Sequence, residues 1–392
     1  MRKTMKTTLL LLPVLFYALL TVSSGLPVRK AGVSACPAAA ALLPPDTQKS
    51  APVSPAAPEA RADDILAGMS LPEKVGQLFL VHYPDGDVPA LIRRYHFGGF
   101  ILFAKDFDGK TPEEITAALA ACQESSRIPM LIGVDEEGGT VNRVSRFPQF
   151  RPAPFLSPQA LYKEGGWPRI VRDTREKAQL LKALGINLNL APVCDIGGPS
   201  SYIYPRTIGG DAALTARYAE TVAAVMRSER LGCFLKHFPG YGGSADTHTG
   251  PAVDDRSLDA FAASDFLPFK AGIAAGAGAV MISHNITSGM SGKLPASLSP
   301  QVHRILREEL EFTGVILTDD LNMAAVRDYK TPQDSLAVLA LLAGNDLLLC
   351  TDYDIQLPAV LAAAENGTIP PQAIDAAVRR ILLWKLELGI LE

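Results

Sequence analysis

Eight short, almost continuously apolar runs recur along the chain, at 78–83, 99–104, 130–135, 186–192, 233–237, 279–284, 315–319 and 346–350, each bounded by Gly, Pro or Asn. Segments with helical spacing separate them. Strands that alternate with helices and carry no polar face predict a parallel sheet buried on both sides. Eight such units predict a single (β/α)8 TIM-type barrel over residues 63–392. Start signals support the helices between the runs: Ser70-Leu71-Pro72-Glu73 and Thr111-Pro112-Glu113-Glu114 each place a hydroxyl at the cap, with Pro and Glu in the first turn. A last helix over 371–388 carries Ala377, Ile381, Leu382 and Trp384 on one face. The chain stops shortly after it, so no C-terminal second domain is expected.

The N-terminal part breaks this pattern. Arg2, Lys3 and Lys6 precede an apolar run at 9–22 interrupted only by Thr21, and small residues follow. Residues 1–24 therefore read as an export signal rather than a membrane span. Val33-Ser34-Ala35-Cys36 resembles a bacterial lipoprotein box, so membrane association is expected only through a lipid on Cys36 or an uncleaved signal. Residues 25–62 are rich in Ala, Pro and Ser and read as a flexible tether. An exported protein, in the periplasm, the cell envelope or outside the cell, is the expectation.

Composition narrows the classes of function. The 392 residues carry 37 Lys+Arg against 41 Asp+Glu, a net charge of −4, with no long basic run. This leaves no electrostatic footprint for a phosphate backbone, so nucleic-acid binding is not expected. Cys122, Cys194, Cys233 and Cys350 fall at apolar runs without CxxC spacing and read as buried thiols rather than a zinc site.

Barrel active sites form where the strands end, so the polar residues terminating the apolar runs are the candidates. They are Asp135-Glu136-Glu137, Asp195, Lys236-His237, His284-Asn285 and Asp319-Asp320. Asp319 and Asp320 follow a strand whose successive side chains alternate, so only one is expected at the barrel mouth. Asp246-Thr247-His248 places a carboxylate and an imidazole two residues apart in a Gly-rich loop, where one ring nitrogen can be held and the other left free. A packing role for that pair, or a metal role with His237, remains an alternative at this level.

These motifs together resemble the glycoside hydrolase family 3 β-N-acetylhexosaminidases: VDEEGGTVNR at 134–143, KHFPGYG at 236–242, DTH at 246–248, HNIT at 284–287, PASLS at 295–299, ILTDDLNM at 316–323 and AGNDLLL at 343–349. The resemblance covers about residues 63–392 in the family's order. It implies a retaining, exo-acting glycosidase that needs no cofactor or metal and removes terminal β-linked N-acetylglucosamine. Asp319 would be the nucleophile, and His248, oriented by Asp246, the acid/base. Asp135, Arg206, Lys236 and His237 would grip the sugar, while Asp195, Glu137, Arg143 and His284 would support them from beneath. With the chain expected to end at its barrel, the proton donor must come from a barrel loop. Export favours peptidoglycan fragments as substrate, with chitin oligosaccharides as the alternative.

The chain departs from the family pattern at Tyr241, where His is common, at Glu136, where Gln is common, and in a loop from Lys236 to Asp246 a residue shorter than usual. Three rival readings fit less of the sequence. A solute-binding protein needs two lobes, a non-catalytic glycan binder has no need of Asp319, Asp246 and His248 together, and a Schiff-base aldolase built on Lys236 leaves the Asp-x-His loop without a purpose.

Overall fold

The computed structural model describes residues 56–243, 246–329 and 335–392. The segments read as an export signal, a lipoprotein box with Cys36 and a tether lie, up to residue 55, outside the described residues. Ten strands occur in the described residues: β1 (Phe79–His82), β2 (Gly99–Leu102), β3 (Leu131–Val134), β4 (Leu188–Asn189), β5 (Gly232–Phe238), β6 (Val253–Asp254), β7 (Ala279–Ile282), β8 (Ile286–Thr287), β9 (Val315–Thr318) and β10 (Leu348–Cys350).

Eight of them form one parallel sheet in the order β10-β1-β2-β3-β4-β5-β7-β9. A parallel bridge between Leu317 and Leu347 closes the ring, and the Thr318 N–H donates to the Leu347 carbonyl at 3.2 Å. The eight barrel strands are the eight apolar runs. Nearly every barrel-strand residue is buried, as a sheet covered by helices outside and side chains inside requires. β4 is shorter than the run at 186–192 because Pro192 has no N–H to extend a ladder. β6 and β8 make a separate parallel pair at the barrel mouth that no periodicity announced, each being two residues long.

The helices begin where the caps predict. The Thr111 hydroxyl accepts the Glu114 N–H at 3.2 Å, and the Glu114 carboxylate accepts the Thr111 N–H at 2.8 Å, at the start of the helix Pro112–Ser125. The last helix runs Pro371–Glu387, and Gly389 beyond it takes the left-handed conformation with φ of 70°.

The tether boundary at residue 62 needs correction. A helix runs Ala56–Ala67, and Ala62 within it is fully buried. Arg379 of the last helix donates to Asp63 at 2.6 Å, and Arg61 donates to the Glu392 carbonyl at 2.9 Å. An Ala-rich segment has high intrinsic helix propensity once a partner surface is supplied, and composition alone does not register that surface. Cys122, Cys194, Cys233 and Cys350 are buried free thiols, as expected.

Candidate active site

At the C-terminal ends of the strands a cavity of about 470 Å³ opens. Asp135, Arg206, Lys236, His237, His248 and Asp319 all line it, so residues separated by as much as half the chain meet there. Asp246 stands behind His248, its Oδ1 2.7 Å from the ring Nδ1.

The floor is built from β3, β4 and β5. Lys236, on β5, is 2% exposed and lies 2.6 Å from Asp135 and 2.7 Å from Glu137. A buried ammonium demands such partners, and two carboxylates hold it against the sheet. Glu137 in turn takes two bonds from Arg206, at 2.9 Å from Nε and 2.7 Å from Nη2. Burial alone would raise the Glu137 carboxyl, but the charges and hydrogen bonds of Arg206 and Lys236 outweigh it and hold the group well below the usual carboxylate range. Arg206 reaches this position from a single turn, Tyr204–Arg206, where its Nη1 also meets the Tyr202 hydroxyl at 3.3 Å.

Main-chain clasps fix the loop after β3. The Asn189 side chain accepts the Glu136 N–H at 2.9 Å and donates to its carbonyl at 3.1 Å. The Glu136 carboxylate accepts the N–H groups of Arg143 and Val144 at 2.9 and 2.7 Å, and the Ser145 hydroxyl also bonds to it. A carboxylate accepts more donors than a Gln carbonyl does, which accounts for the acid at this position. Lys177 donates to the Glu137 carbonyl at 3.2 Å from the helical segment behind it, and pairs with Asp173 at 3.2 Å.

His237 is fixed by Asp195, whose Oδ2 lies 2.7 Å from the ring Nδ1 and accepts the His237 N–H at 3.2 Å. Arg206 Nη2 is 3.3 Å from the other ring nitrogen. The ring therefore turns Nδ1 towards the Asp195 carboxylate and Nε2 towards Arg206.

Asp319 follows β9, its main-chain N–H donating to Ile282 on β7 at 2.9 Å. Burial would raise its carboxyl, but the nearby His237 and His284 rings and the Asp320 N–H, at 2.9 Å, hold it below its ordinary value. It is therefore ionised at neutral pH. His284, fully buried, bonds through Nε2 to the Asp320 carbonyl at 2.9 Å and through Nδ1 to the Ser297 hydroxyl at 2.7 Å. Burial pushes its pKa down, against the pull of the nearby Asp319 and Asp320 carboxylates.

Three expectations change. Asp320 lines the cavity together with Asp319, because the strand ends at Thr318 and the alternation that would oppose them ends with it. Its Oδ1 accepts the Asn322 N–H at 2.9 Å, and Oδ2 lies 2.9 Å from His82 Nε2. Arg143 and Glu137, expected beneath the site, also line the cavity. Arg143 stands over the Phe103 ring at 5.6 Å and 3.9 Å from Asp135. Sequence reasoning missed Phe103, Tyr202 and Met323 in the lining. Tyr202 lies four residues before Arg206, which was the signal available; Phe103 and Met323 gave none distinct from core residues.

His248 is 59% exposed at the mouth, where a leaving group would depart. Partial burial would raise the Asp246 carboxyl, but bonds from the His248 N–H, at 3.0 Å, and from its ring hold it below the ordinary value. Asp319, held below its ordinary pKa in the cavity, and an imidazole backed by a carboxylate at the rim are groups of the kind a glycosidase uses. Residues 70–383 match the glycosyl hydrolase family 3 N terminal domain, and the chain belongs to that family. A β-hexosaminidase from Xylella fastidiosa (strain M23) is 35% identical over 299 residues, 73% of this chain and 85% of the relative. One from Stenotrophomonas maltophilia (strain K279a) is 37% identical over 232 residues, 58% of this chain and 68% of the relative. A family 3 β-N-acetylglucosaminidase structure from Paenibacillus sp. str. FPU-7 superposes with a TM-score of 0.77 at 32% identity; the match covers 82% of this chain and 63% of that one. The β-N-acetylhexosaminidase structure from Beutenbergia cavernae DSM 12333 gives 0.70 at 31% identity, over 81% and 98%.

Proposed function

We propose that the protein is a retaining exo-β-N-acetylglucosaminidase that releases terminal β-linked N-acetylglucosamine from cell-wall peptidoglycan fragments by double displacement. The observation that carries the reading is the shared cavity: Asp319, held ionised, and His248, held by Asp246, line the same space. In the first step the Asp319 carboxylate attacks the anomeric carbon as the glycosidic bond breaks, and His248 gives its proton to the departing oxygen. In the second, His248 takes a proton from water, which displaces Asp319 and regenerates it.

Asp135, Lys236, His237 and Arg206 present charged hydrogen-bonding groups to the hydroxyls of the terminal sugar, with Lys236 and Arg206 anchored through Glu137. The 2-acetamido preference is supported by the relatives' names, and the peptidoglycan source by the export signal read at residues 1–24. The experiment compares release of p-nitrophenol from the β-N-acetylglucosaminide and the β-glucoside, then of N-acetylglucosamine from muropeptides and from chitin oligosaccharides. Equal turnover of the two aryl glycosides overturns the sugar assignment. Chitin turned over faster than muropeptides overturns the wall assignment.

A further inference from the structure

His248 is exposed and Asp246 half-buried, yet Thr247 between them is fully buried. Its hydroxyl bonds to the Tyr241 hydroxyl, and its carbonyl accepts the Ala325 N–H at 3.3 Å. Thr247 is thus held from beneath by the Tyr241 side chain and the Ala325 main chain. Tyr241 is itself fully buried, packed with Val193 and Ile203, and its ring meets the His237 ring edge-on at 5.1 Å. Its N–H donates to Asp195 Oδ1 at 2.8 Å, while the other oxygen of that carboxylate orients His237.

The base of Tyr241 is rigid. The Gly240 carbonyl accepts from Asn285 at 3.0 Å, and Gly240 packs so closely on Asp265 that no side chain fits there. Asp265 is paired to Arg256 at 2.7 Å, and Arg256 to Asp254 of β6 at 2.8 Å. Burial keeps the phenol protonated far above its ordinary range, so the hydroxyl remains available as a donor.

We infer that Tyr241 is a positioning residue for proton transfer: its hydroxyl holds the Asp246–His248 pair at the cavity mouth through Thr247, while its backbone shares Asp195 with the sugar-facing His237. The residue that departs from the family pattern thereby ties the short loop to the floor of the site. One rigid side chain sets the height of the imidazole relative to the sugar, a distance on which proton transfer depends steeply. This inference rests on His248 being the acid/base.

The test uses the full chain and aryl β-N-acetylglucosaminides of graded leaving-group pKa, with Tyr241→Phe, Thr247→Val, the double variant, Thr247→Ser and His248→Ala. Tyr241→Phe and Thr247→Val should each lower kcat/KM roughly tenfold for poor leaving groups, with far less effect on kcat/KM for activated ones. The double variant should be no worse than either single one, and Thr247→Ser should restore near-normal behaviour. A uniform loss across leaving groups, or additive effects in the double variant, overturns the inference. Should Tyr241→Phe fail to fold, Thr247→Val beside Thr247→Ser decides the matter by the same leaving-group dependence. If His248→Ala is insensitive to the leaving group, the acid/base reading itself falls; if it is sensitive while Tyr241→Phe and Thr247→Val are not, only the tether falls.

Discussion

Lys236 Nζ lies 2.7 Å from Glu137 Oε1, and both side chains are 2% exposed. Neither charge is solvated, so each depends on its ion-pair partners: Lys236 on Glu137 and Asp135, Glu137 on Lys236 and Arg206. The pair joins β5 to the loop after β3, and through Glu137 it reaches Arg206. Three of the residues proposed to touch the sugar, Asp135, Lys236 and Arg206, are thereby locked before any ligand arrives.

Removing one partner should therefore be costly to the fold as well as to binding. Glu137→Ala leaves Lys236 with Asp135 alone and Arg206 without its bidentate acceptor. Unfolding in urea should show a loss of about 3–5 kcal/mol. Glu137→Gln, which keeps the shape but not the charge, should lose less stability while raising KM. A variant as stable as the parent would show that the network is not desolvated as described.

The two proposed chemical roles separate in kinetics. Asp319→Ala should abolish the glycosyl-enzyme and cut turnover by several orders of magnitude. His248→Ala should be least impaired on substrates whose leaving group needs no proton, and should then accumulate covalent enzyme, since deglycosylation still lacks its base. Azide, which needs no deprotonation, should partly restore turnover of the His248 variant with the β-glycosyl azide as product, whereas any azide adduct formed by the Asp319 variant should be the α-anomer, from a single displacement. Rescue of neither, with rescue at another position, would reassign the acid/base.

Most of the barrel was legible because its signal is local: a strand buried on both faces is a continuous apolar run, and all eight runs are strands. Residues that end those runs, such as Asp135, Lys236 and Asp319, could be named for the same reason. The limits lie where geometry is non-local. The orientation of Asp320 depended on where β9 stops, and the exposure of Arg143 on a loop clasped by the Glu136 carboxylate. The Tyr241–Thr247 contact depends on a turn whose shape is set by Asn285 and Asp265, both remote in sequence. The helix Ala56–Ala67 was hidden by a composition that suits a tether equally well, its partner surface lying at the other end of the chain.

That helix yields a boundary test. Removing residues 1–55 should leave a folded, active enzyme, since the helix and its contacts with Arg379 and Glu392 persist. Removing 1–62 takes away Ala62 and Arg61, cuts the helix in the middle, and uncovers the last helix. The second truncation should melt several degrees below the first. Equal melting temperatures would return the boundary to residue 63.

Lys385 offers a test of the opposite face of the barrel through pH. Its side chain is fully buried and donates to Gln77 Oε1 at 2.6 Å and to the Gly98 carbonyl at 3.1 Å, both neutral acceptors. Burial pushes its pKa down to about 7. In the unfolded chain a lysine holds its proton up to roughly pH 10.4, so between the two values unfolding takes up a proton. The sign follows: stability contributed by this site rises as pH increases from about 7 towards 10, and below about 7 the cost of burying the charge is felt in full. Lys385→Met removes the titration while leaving Gln77 and Gly98 short of a donor. The parent's stability relative to that variant, measured by urea unfolding from pH 6 to pH 9.5, should therefore increase with pH. A flat difference across that window would mean that the folded protein keeps this lysine charged.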